Sequence, residues 1–540
     1  MNLSAIIANF LWSAANLPSY FQFRRALQDP ERAQQQRLRA YLDPNRHTAF
    51  GEVHKFASIR TYDEFAHRVP LMDYESLKPW IERICRGESN VLTRDSVTRL
   101  VPTSGSSGGR KLIPFTAGLL QEFNAAIDQW LVDLLRHSPG IAAGPAYWSV
   151  TPVVSNAKAQ ASAVPIGFDT DTAYLGGSRQ RLARAVMAVP DESRSIQDLE
   201  VFRYVTLLCL LRQREMRLIS VWHPSFLTLL LDSLPGYWRD LQADIRSGGC
   251  KHADRLPPVV RDCLELPPLP HRAEELGRID LQKPETIWPH LKLLSCWGDG
   301  AATVAANSLK ELFPNTTVQP KGLLATEACV TIPFVGQHPI AVRSHFFEFE
   351  DEAGKIRRVH ELELGQKYEV IVTTSGGLWR YRLRDCVQVT DFIGRTPSLR
   401  FLGRSGNVSD LFGEKLSEAF VAQALQEVLV AMDTRLSFAL LAPDNDTQGY
   451  RYTLYAEGKL PESFAATFDQ ALRLNPHYAY CRDLGQLLPV RLFVITKCGY
   501  QTFINQKIGS GARLGDVKPM ILSRTRGWST IFEGAYVQPR

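Results

Sequence analysis

The segment that most constrains the fold of this chain is a run of glycine and serine between two strand-like stretches. The sequence "SVTRLVPTSGSSGGRKLIPFT" (96–116) places this run just ahead of Arg110 and Lys111, and the apolar "LIPF" follows at once. Because Pro114 and its apolar neighbours are not a helix start, the pattern predicts a hairpin-like loop that joins two strands.

Three other interpretations of this loop fit less well. A Walker phosphate loop starting at Gly105 would need glycine where Arg110 stands and serine or threonine where Leu112 stands. A nucleophile elbow with Ser107 as the nucleophile needs a helix directly after the serine, whereas a strand-like segment follows. A flexible linker is disfavoured because the run is short and ends in two cations. The residue types fit a loop that wraps phosphate oxygens with backbone N–H groups, hydroxyls and a cation.

Length, composition, net charge and cysteine spacing limit the classes of protein to which this chain can belong. The chain has 540 residues, which predicts at least two domains, and its 45% hydrophobic and 22% charged residues are ordinary for a globular protein. The net charge of +6 is spread along the chain, so we expect no nucleic-acid partner. The nine cysteines form no CxxC pair, which favours reduced thiols and a cytoplasmic location. The most apolar stretch is broken by His223, Pro224 and Asp232, so we expect no membrane span.

The pattern of apolar and polar residues changes along the chain. The first hundred residues show helical spacing of apolar residues, and helical stretches then alternate with apolar runs such as "LKLLSCW" (291–297), which predicts an α/β domain. From Ile340 the sequence is strand-rich with glycine-bearing turns, typical of a β-meander or small barrel. Near Asn407 a glycine-punctuated loop precedes a helical stretch from about Ser417 and a mixed remainder, which predicts a second, small α+β domain.

Three separated segments together resemble one family. The loop "TSGSSGGRKLIP", the stretch "LELGQKYEVIVTTSGGLWRYRLRD" (362–385) and "LLATEAC" (323–329) are similar to segments of the Gretchen Hagen family of auxin-responsive acyl acid amido synthetases, within the adenylate-forming superfamily of acyl-CoA synthetases, luciferases and adenylation domains. The resemblance covers nearly the whole chain. It implies an α/β fold with a large N-terminal adenylate-forming domain (1–406), with α/β sheets and a β-barrel-like part, that binds ATP and the acyl substrate. A small C-terminal α+β lid domain (407–540) follows.

The resemblance also implies a reaction. Such an enzyme activates a small-molecule carboxylic acid with ATP and Mg²⁺, and an amine, usually that of an amino acid, then captures the acyl-adenylate. AMP and pyrophosphate are released. An acyl-CoA ligase and a non-catalytic acyl- or nucleotide-binding protein are the alternatives. The sequence specifies neither the acid, the amine nor an oligomeric state.

Matched positions in the loop and in "LLATEAC" receive roles from the family. Thr326 and Glu327 would lie at the α-phosphate, with Glu327 binding Mg²⁺ through its hard oxygens. Apolar or small neighbours on both sides distinguish Glu327 from an ordinary surface acid. The residues expected to hold the β- and γ-phosphates are Thr103, Ser104, Gly105, Ser106, Ser107, Gly108 and Lys111.

Two further positions lie in the strand-rich segment. Asp385 would accept hydrogen bonds from the ribose hydroxyls, and Arg404, in "FLGRSGN", would contact the ribose or a phosphate. From spacing alone, Asp385 could equally form an ion pair with an arginine of its own strand. The candidates for that pair are Arg380, Arg382 and Arg384.

The lid domain should supply a cation to the α-phosphate as charge develops in the transition state. Lys518, directly before Pro519, resembles the family's catalytic lysine, and Lys507 is its rival. Two positions depart from the family pattern. Asn407 stands at the hinge where a charged residue is common, and Thr326 replaces a serine.

Overall fold

The computed structural model describes residues 3–103, 111–149, 162–166, 182, 184–264, 266–406, 408–509, 517 and 520–537. The α-helices whose ends lie in this part of the chain are α1 (Leu3–Ala26), α2 (Pro30–Asn45), α3 (Ala49–Val53), α4 (Tyr62–Arg68), α5 (Tyr74–Cys85), α6 (Ala117–His137), α7 (Leu199–Arg212), α8 (Pro224–Ser247), α9 (Pro258–Cys263), α10 (Pro270–Leu276), α11 (Thr303–Leu312), α12 (Glu418–Ala431), α13 (Phe464–Leu472), α14 (Pro476–Asp483) and α15 (Gly499–Gly509).

The strands are β1 (Val97–Thr103), β2 (Lys111–Thr116), β3 (Ala146–Trp148), β4 (Leu218–Ser220), β5 (Leu293–Cys296), β6 (Thr317–Pro320), β7 (Phe346–Asp351), β8 (Ile356–Arg358), β9 (Lys367–Thr373), β10 (Tyr381–Ile393), β11 (Thr396–Arg404), β12 (Val408–Ser409), β13 (Leu416–Ser417), β14 (Leu436–Asp446), β15 (Gly449–Gly458), β16 (Arg491–Ile495) and β17 (Gly534–Tyr536). They form five sheets.

The helical N-terminal region predicted from apolar spacing is confirmed by α1 to α5. Their starts follow from local capping chemistry: Asp29 accepts a hydrogen bond from the backbone of α2, Thr61 forms a capping box with Glu64 in α4, and Asp73 caps α5. Helix α1 packs against α6 and buries Trp12. These helices enclose the strands that carry the site.

The predicted hairpin and the parallel α/β sheet are both present. Strands β1 and β2 pair antiparallel, and Thr103 faces Lys111 at the open end of the loop. Strands β3, β4, β5 and β6 lie parallel in that order, and the crossovers carry α7, then α8 to α10, then α11. Because parallel strands need helical crossovers, the alternation seen in the sequence fixes this architecture.

The strand-rich segment after Ile340 forms a five-stranded antiparallel sheet in the order β11-β10-β9-β7-β8. The C-terminal part contains a second sheet, β14-β15-β16-β17, with α12 to α15, as the α+β expectation requires. Helix α12 begins where the sequence predicted, because the Ser417 side chain accepts a hydrogen bond from the backbone of Phe420. The division into 1–406 and 407–540 stays a prediction, and Asn407 lies outside the described residues.

The C-terminal α+β part packs on the crossovers of the parallel sheet. Tyr500 of α15 stacks on His223 with ring centroids 4.9 Å apart, and Arg203 donates a hydrogen bond of 3.1 Å to Gln501. The described residues include no helix that is both long and apolar enough to cross a membrane. All nine cysteines are described, and all are free thiols.

The antiparallel sheet is tied to the N-terminal helices by a buried ion pair. Arg380 donates to Glu348 at 2.8 Å and 3.0 Å, and the side chains of these two residues are only 5% and 1% exposed. Arg380 also donates to the carbonyls of Ala66 and Val69, each at 2.8 Å, while the Tyr62 hydroxyl donates to Glu348. Each charge therefore has hydrogen-bonding partners as well as its opposite charge, which is what makes a buried pair tolerable.

Replacement of Glu348 by glutamine should destabilise the protein by about 3 kcal/mol, because the Arg380 guanidinium then stays buried without a carboxylate. Urea unfolding followed by tryptophan fluorescence measures the loss. The matched control is Glu361→Gln, whose partner Arg358 is about one-third exposed. We expect that control to change stability by less than about 1 kcal/mol. Equal losses in the two variants would contradict the prediction.

Candidate active site

Lys111 is the first residue of β2 and follows the glycine-serine run and Arg110 in sequence. Its ammonium group lies 5.6 Å from the centroid of the Tyr74 ring, and the Tyr74 hydroxyl accepts a hydrogen bond of 2.8 Å from the Leu112 N–H. Burial lowers the pKa of Lys111, and the carboxylate of Glu327 is the largest influence that opposes this change. Lys111 is therefore held by the end of α5 and lies within electrostatic reach of Glu327.

Thr326 and Glu327 form the tip of a tight turn that follows β6. The Ala325 N–H donates to the Ala328 carbonyl at 2.9 Å, and Leu324 pairs with Cys329 across the turn. The Glu327 side chain is nearly buried, with 6% of the residue exposed. None of the described residues gives its carboxylate a hydrogen bond or an ion pair, which is a costly arrangement for a charged group.

A buried hydrogen-bond chain anchors this turn to α6. The Cys329 N–H donates to His345 Nε2 at 3.1 Å, so the proton of the imidazole lies on Nδ1, which faces Glu122 Oε2 at 3.0 Å. Glu122 also accepts from the Ser375 N–H at 3.2 Å and from the Tyr41 hydroxyl. The sequence analysis missed Glu122 and His345. The available signal was an acid at an apolar position of the α6 pattern "GLLQEFNAAI".

Asp385 and Arg404 face each other across strands β10 and β11. Arg404 Nε donates to Asp385 Oδ1 at 3.1 Å, and its NH2 group donates to the Leu383 carbonyl at 3.2 Å. Burial lowers the pKa of Arg404, but the carboxylates of Asp385 and Glu327 together outweigh it and raise the pKa above its usual value. Arg404 is thus in contact with Asp385 and within electrostatic reach of Glu327.

The alternative in which Asp385 pairs with an arginine of its own strand is wrong. Backbone geometry aims those arginines at strands β7 and β9, where each meets a glutamate. The observed pairs are Arg380 with Glu348, Arg382 with Glu350 and Arg384 with Glu369.

Four charged side chains from separate stretches of the chain therefore lie within electrostatic reach of one another, with Asp385 and Arg404 in direct contact. We call them the charge cluster: Lys111, Glu327, Asp385 and Arg404. Tyr381 lies beside them, since burial and then the Glu327 charge raise the pKa of its hydroxyl. The cluster holds two cations and two carboxylates. It can bind phosphates, hydroxyl groups and, through Glu327, a hard cation.

Two close backbone contacts bring the distant "TTSGGLWRYRLRD" segment to the hairpin. At Gly377, where φ is +95°, a Cβ atom would lie 2.6 Å from the Leu92 side chain. At Gly376 it would lie 2.9 Å from the Pro114 carbonyl. A side chain would clash at both positions, so the two glycines are required for packing against Leu92 and against Pro114 of β2.

Only some of the other predicted site residues lie in the part of the chain that the structure describes. Thr103 ends β1 opposite Lys111, and Thr326 is half-buried beside Glu327. Lys507 packs its ammonium against the rings of Phe503 and Trp528, at 5.6 Å and 5.8 Å. Outside the described residues lie Ser104, Gly105, Ser106, Ser107, Gly108 and Lys518.

Comparison with known proteins covers nearly the whole chain. Family models match residues 20–318 as the GH3 family N-terminal domain, 338–404 as the GH3 family central domain, and 417–527 as the GH3 family C-terminal domain. The chain belongs to the GH3 family. The resemblance drawn from the loop, from 323–329 and from 362–385 is thereby confirmed.

Relatives of this GH3 chain are distant in sequence. Indole-3-acetic acid-amido synthetase GH3.3 of Arabidopsis thaliana is 24% identical over 448 residues, which cover 78% of this chain and 73% of that protein. The 4-substituted benzoates-glutamate ligase GH3.12 of the same plant is 24% identical over 544 residues, covering 89% and 91%. The structure of AtGH3.15 acyl acid amido synthetase in complex with 2,4-DB superposes with a TM-score of 0.84 at 20% identity, over 96% of each chain. The predicted fold class is confirmed.

If Glu327 serves a ligand rather than the fold of this GH3 chain, replacing it with glutamine should leave the melting temperature unchanged or higher. The reason is that its buried charge has no hydrogen-bond donor among the described residues. The matched control is Glu122→Gln, which turns an amide N–H₂ towards groups that donate to Glu122. We expect that control to melt about 5 °C lower. Differential scanning calorimetry measures both, and a comparable drop in Glu327→Gln would assign Glu327 to the fold.

Proposed function

We propose that this chain is an ATP-dependent acyl acid amido synthetase. It adenylates a small-molecule carboxylic acid, transfers the acyl group to the amine of an amino acid, and releases AMP and pyrophosphate. The observation that carries the proposal is the charge cluster, which joins the three segments of the family resemblance in one place. The named activities of the GH3 relatives, which join acids such as indole-3-acetate or benzoates to an amino acid, support it.

The first half of the reaction needs triphosphate binding and charge neutralisation. We propose that Lys111 and the loop 103–108 hold the β- and γ-phosphates, and that Thr326 and Glu327 lie at the α-phosphate. The described residues contain no cluster of three or more metal-ligating side chains. A single buried carboxylate suits Mg²⁺, which commonly binds through one or two carboxylates together with substrate phosphates. Glu327 is therefore the proposed protein ligand of Mg²⁺ that enters with ATP.

The ribose is the proposed ligand of Asp385. Its Oδ1 atom accepts a hydrogen bond from Arg404 Nε, and this contact holds the carboxylate in place within the charge cluster. Arg404 itself is held by Asp385 and the Leu383 carbonyl. Its charge also lies within reach of Glu327, so it supports the α-phosphate end of the nucleotide.

The second proposed domain, 407–540, acts as the lid. Lys518 is the proposed catalytic lysine that stabilises the charge on the α-phosphate in the transition state. Lys507 fits this role less well, because its ammonium group already packs on two aromatic rings of the same part of the chain. The free cysteines are compatible with the reducing cytoplasm, where we propose the enzyme acts.

An ATP–pyrophosphate exchange assay over a panel of aromatic, indole and aliphatic carboxylic acids tests the function directly. We expect acid-dependent exchange with at least one class, and amide formation when amino acids are added. A CoA thioester with no amide would instead establish the acyl-CoA ligase. Absence of exchange with every acid would favour the non-catalytic binding protein.

Lysine variants provide the control for the same assay. Lys518→Ala should lose at least about 100-fold in exchange rate, since removing one group that stabilises transition-state charge costs that much. Lys507→Ala should retain most of the rate, with a lower melting temperature from the lost ring contacts. The reverse pattern would assign catalysis to Lys507.

Asp385→Asn should raise the KM for ATP by about 10-fold or more, because a charge-assisted hydrogen bond to the ribose is lost. The matched control is Glu350→Gln, which removes the carboxylate of another arginine pair on the same sheet, with a 2.9 Å contact to Arg382. We expect its KM for ATP to stay within about twofold of the wild type. Equal KM values in the two variants would confine Asp385 to a structural pair.

A further inference from the structure

A second polar site lies at the carboxyl edge of the parallel sheet. Backbone hydrogen bonds continue past the strand ends there. Trp297 N–H donates to the Trp222 carbonyl at 2.7 Å, and Lys321 N–H donates to the Cys296 carbonyl at 2.9 Å. These hydrogen bonds hold the backbone that carries the side chains of Trp222, Trp297 and Lys321. Small ligands of α/β proteins bind at this edge of a parallel sheet.

Lys321 has an incomplete set of partners. Its ammonium group donates to the hydroxyls of Ser220 at 2.6 Å and Ser295 at 3.4 Å, which accounts for two of its three N–H donors. No described residue supplies a carboxylate to it. A half-buried ammonium group beside two indole rings and without a counter-ion is poorly compensated, so its presence favours a ligand that supplies the charge.

Two indole rings form the walls around this ammonium group. Its Nζ atom lies 5.7 Å from the ring centroid of Trp130 and 5.5 Å from that of Trp222. Trp130 is fixed by a hydrogen bond of 2.8 Å from its indole N–H to Gln319, whereas Trp222 is 43% exposed. An exposed indole beside a partly unsatisfied cation is the arrangement expected for a planar or apolar ligand with an anionic group.

This site is separate from the charge cluster but near it. Burial lowers the pKa of Lys321 to about 8, and the only other described group that shifts it is the Cys296 thiol. Lys321 and Glu327 are only six positions apart in sequence. Even a fully extended chain of that length spans about 20 Å, so one acyl-amino acid product can reach from one site to the other.

The neighbouring imidazole does not supply the charge. His223 is stacked on Tyr500, meets the Trp297 ring edge-on and is only 7% exposed, and burial lowers its pKa to about 3. It is therefore neutral, and its Nε2 atom has no hydrogen-bond partner among the described residues. Lys321 provides the cation at this edge, and His223 a neutral polar atom.

We infer that Lys321, between Trp130 and Trp222, binds a substrate carboxylate other than the one that is adenylated. The inference rests on the proposed function and names a specificity-determining residue for it. Two sources share this chemistry: a second carboxylate on the acyl acid, and the α-carboxylate of the amino acid acceptor. A third N–H donor and a full positive charge match a carboxylate oxygen, with aromatic walls for the apolar body of the substrate.

The test compares the full-length wild type with Lys321→Met, which keeps the side-chain length, and Lys321→Arg, which keeps the charge. Lys355→Met, at an exposed lysine in the β7–β8 turn, is the matched control. In the acid arm, ATP–pyrophosphate exchange is measured with benzoate and with terephthalate. In the acceptor arm, amide formation is measured with alanine and with alaninamide.

If the acyl acid is the source, Lys321→Met should raise the KM for terephthalate about 10- to 100-fold and leave that for benzoate unchanged. If the acceptor is the source, the KM for alanine should rise by the same factor and that for alaninamide should not. Lys321→Arg should recover most of the loss, and Lys321→Met should melt no lower than the wild type. In the wild type the affected KM should also rise as the pH passes 8, a change absent from Lys321→Met.

Equal changes in all four KM values, or changes no larger than in Lys355→Met, would overturn the inference. So would a marked drop in melting temperature of Lys321→Met, which would make Lys321 structural. A wild type without exchange on any acid refutes the proposed function instead. Tryptophan fluorescence titration with terephthalate and with alanine then decides on Lys321 alone, since Trp130 and Trp222 flank it. Identical titrations of wild type and Lys321→Met would reject the site.

Discussion

The position of strand β10 is set by the Arg380 guanidinium, and the charge cluster depends on that strand. Arg380 has a φ of +45°, an unfavourable conformation for a residue with a side chain. Its three nitrogen atoms nevertheless all donate hydrogen bonds, to Glu348 and to carbonyls near the end of α4. This contact lets the chain turn sharply after Trp379 and run as β10, so that Tyr381 and Asp385 reach the cluster. The strain is offset locally by a well-satisfied buried ion pair.

The buried and half-buried charges of this protein fall into two groups, one that stabilises the folded state and one that destabilises it. Arg380 and Glu122 are surrounded by hydrogen-bonding partners and hold strands, turns and helices together. Glu327 is nearly as buried and Lys321 is half-buried, yet the described residues leave both without an opposite charge in contact. The first group stabilises the fold. The second opposes folding, which a protein tolerates where a ligand supplies the missing interaction.

Local sequence patterns were sufficient for the secondary structure around the site. Apolar alternation and the Pro114 context predicted β1 and β2, and the "LKLLSCW" run predicted β5. The pairing of charges could not be read in the same way. Asp385 has three arginines within five residues in sequence, but its ion-pair partner is Arg404, because the pleat and register of the sheet decide which side chains meet.

The site features that could not be predicted from the sequence depend on contacts between residues that are far apart in the chain. Glu122 and His345 are 223 positions apart, and only the packing of α6 under the turn at Glu327 brings them together. Lys321 and Trp130 meet for the same reason, since Trp130 belongs to α6 and Lys321 follows β6. Helix α6 therefore has two roles. Its residue Glu122 anchors the turn that carries Glu327. Its residue Trp130, two helical turns further on, forms one side of the second polar site. A shift of α6 would therefore move the turn that carries Glu327 and the indole ring beside Lys321 together.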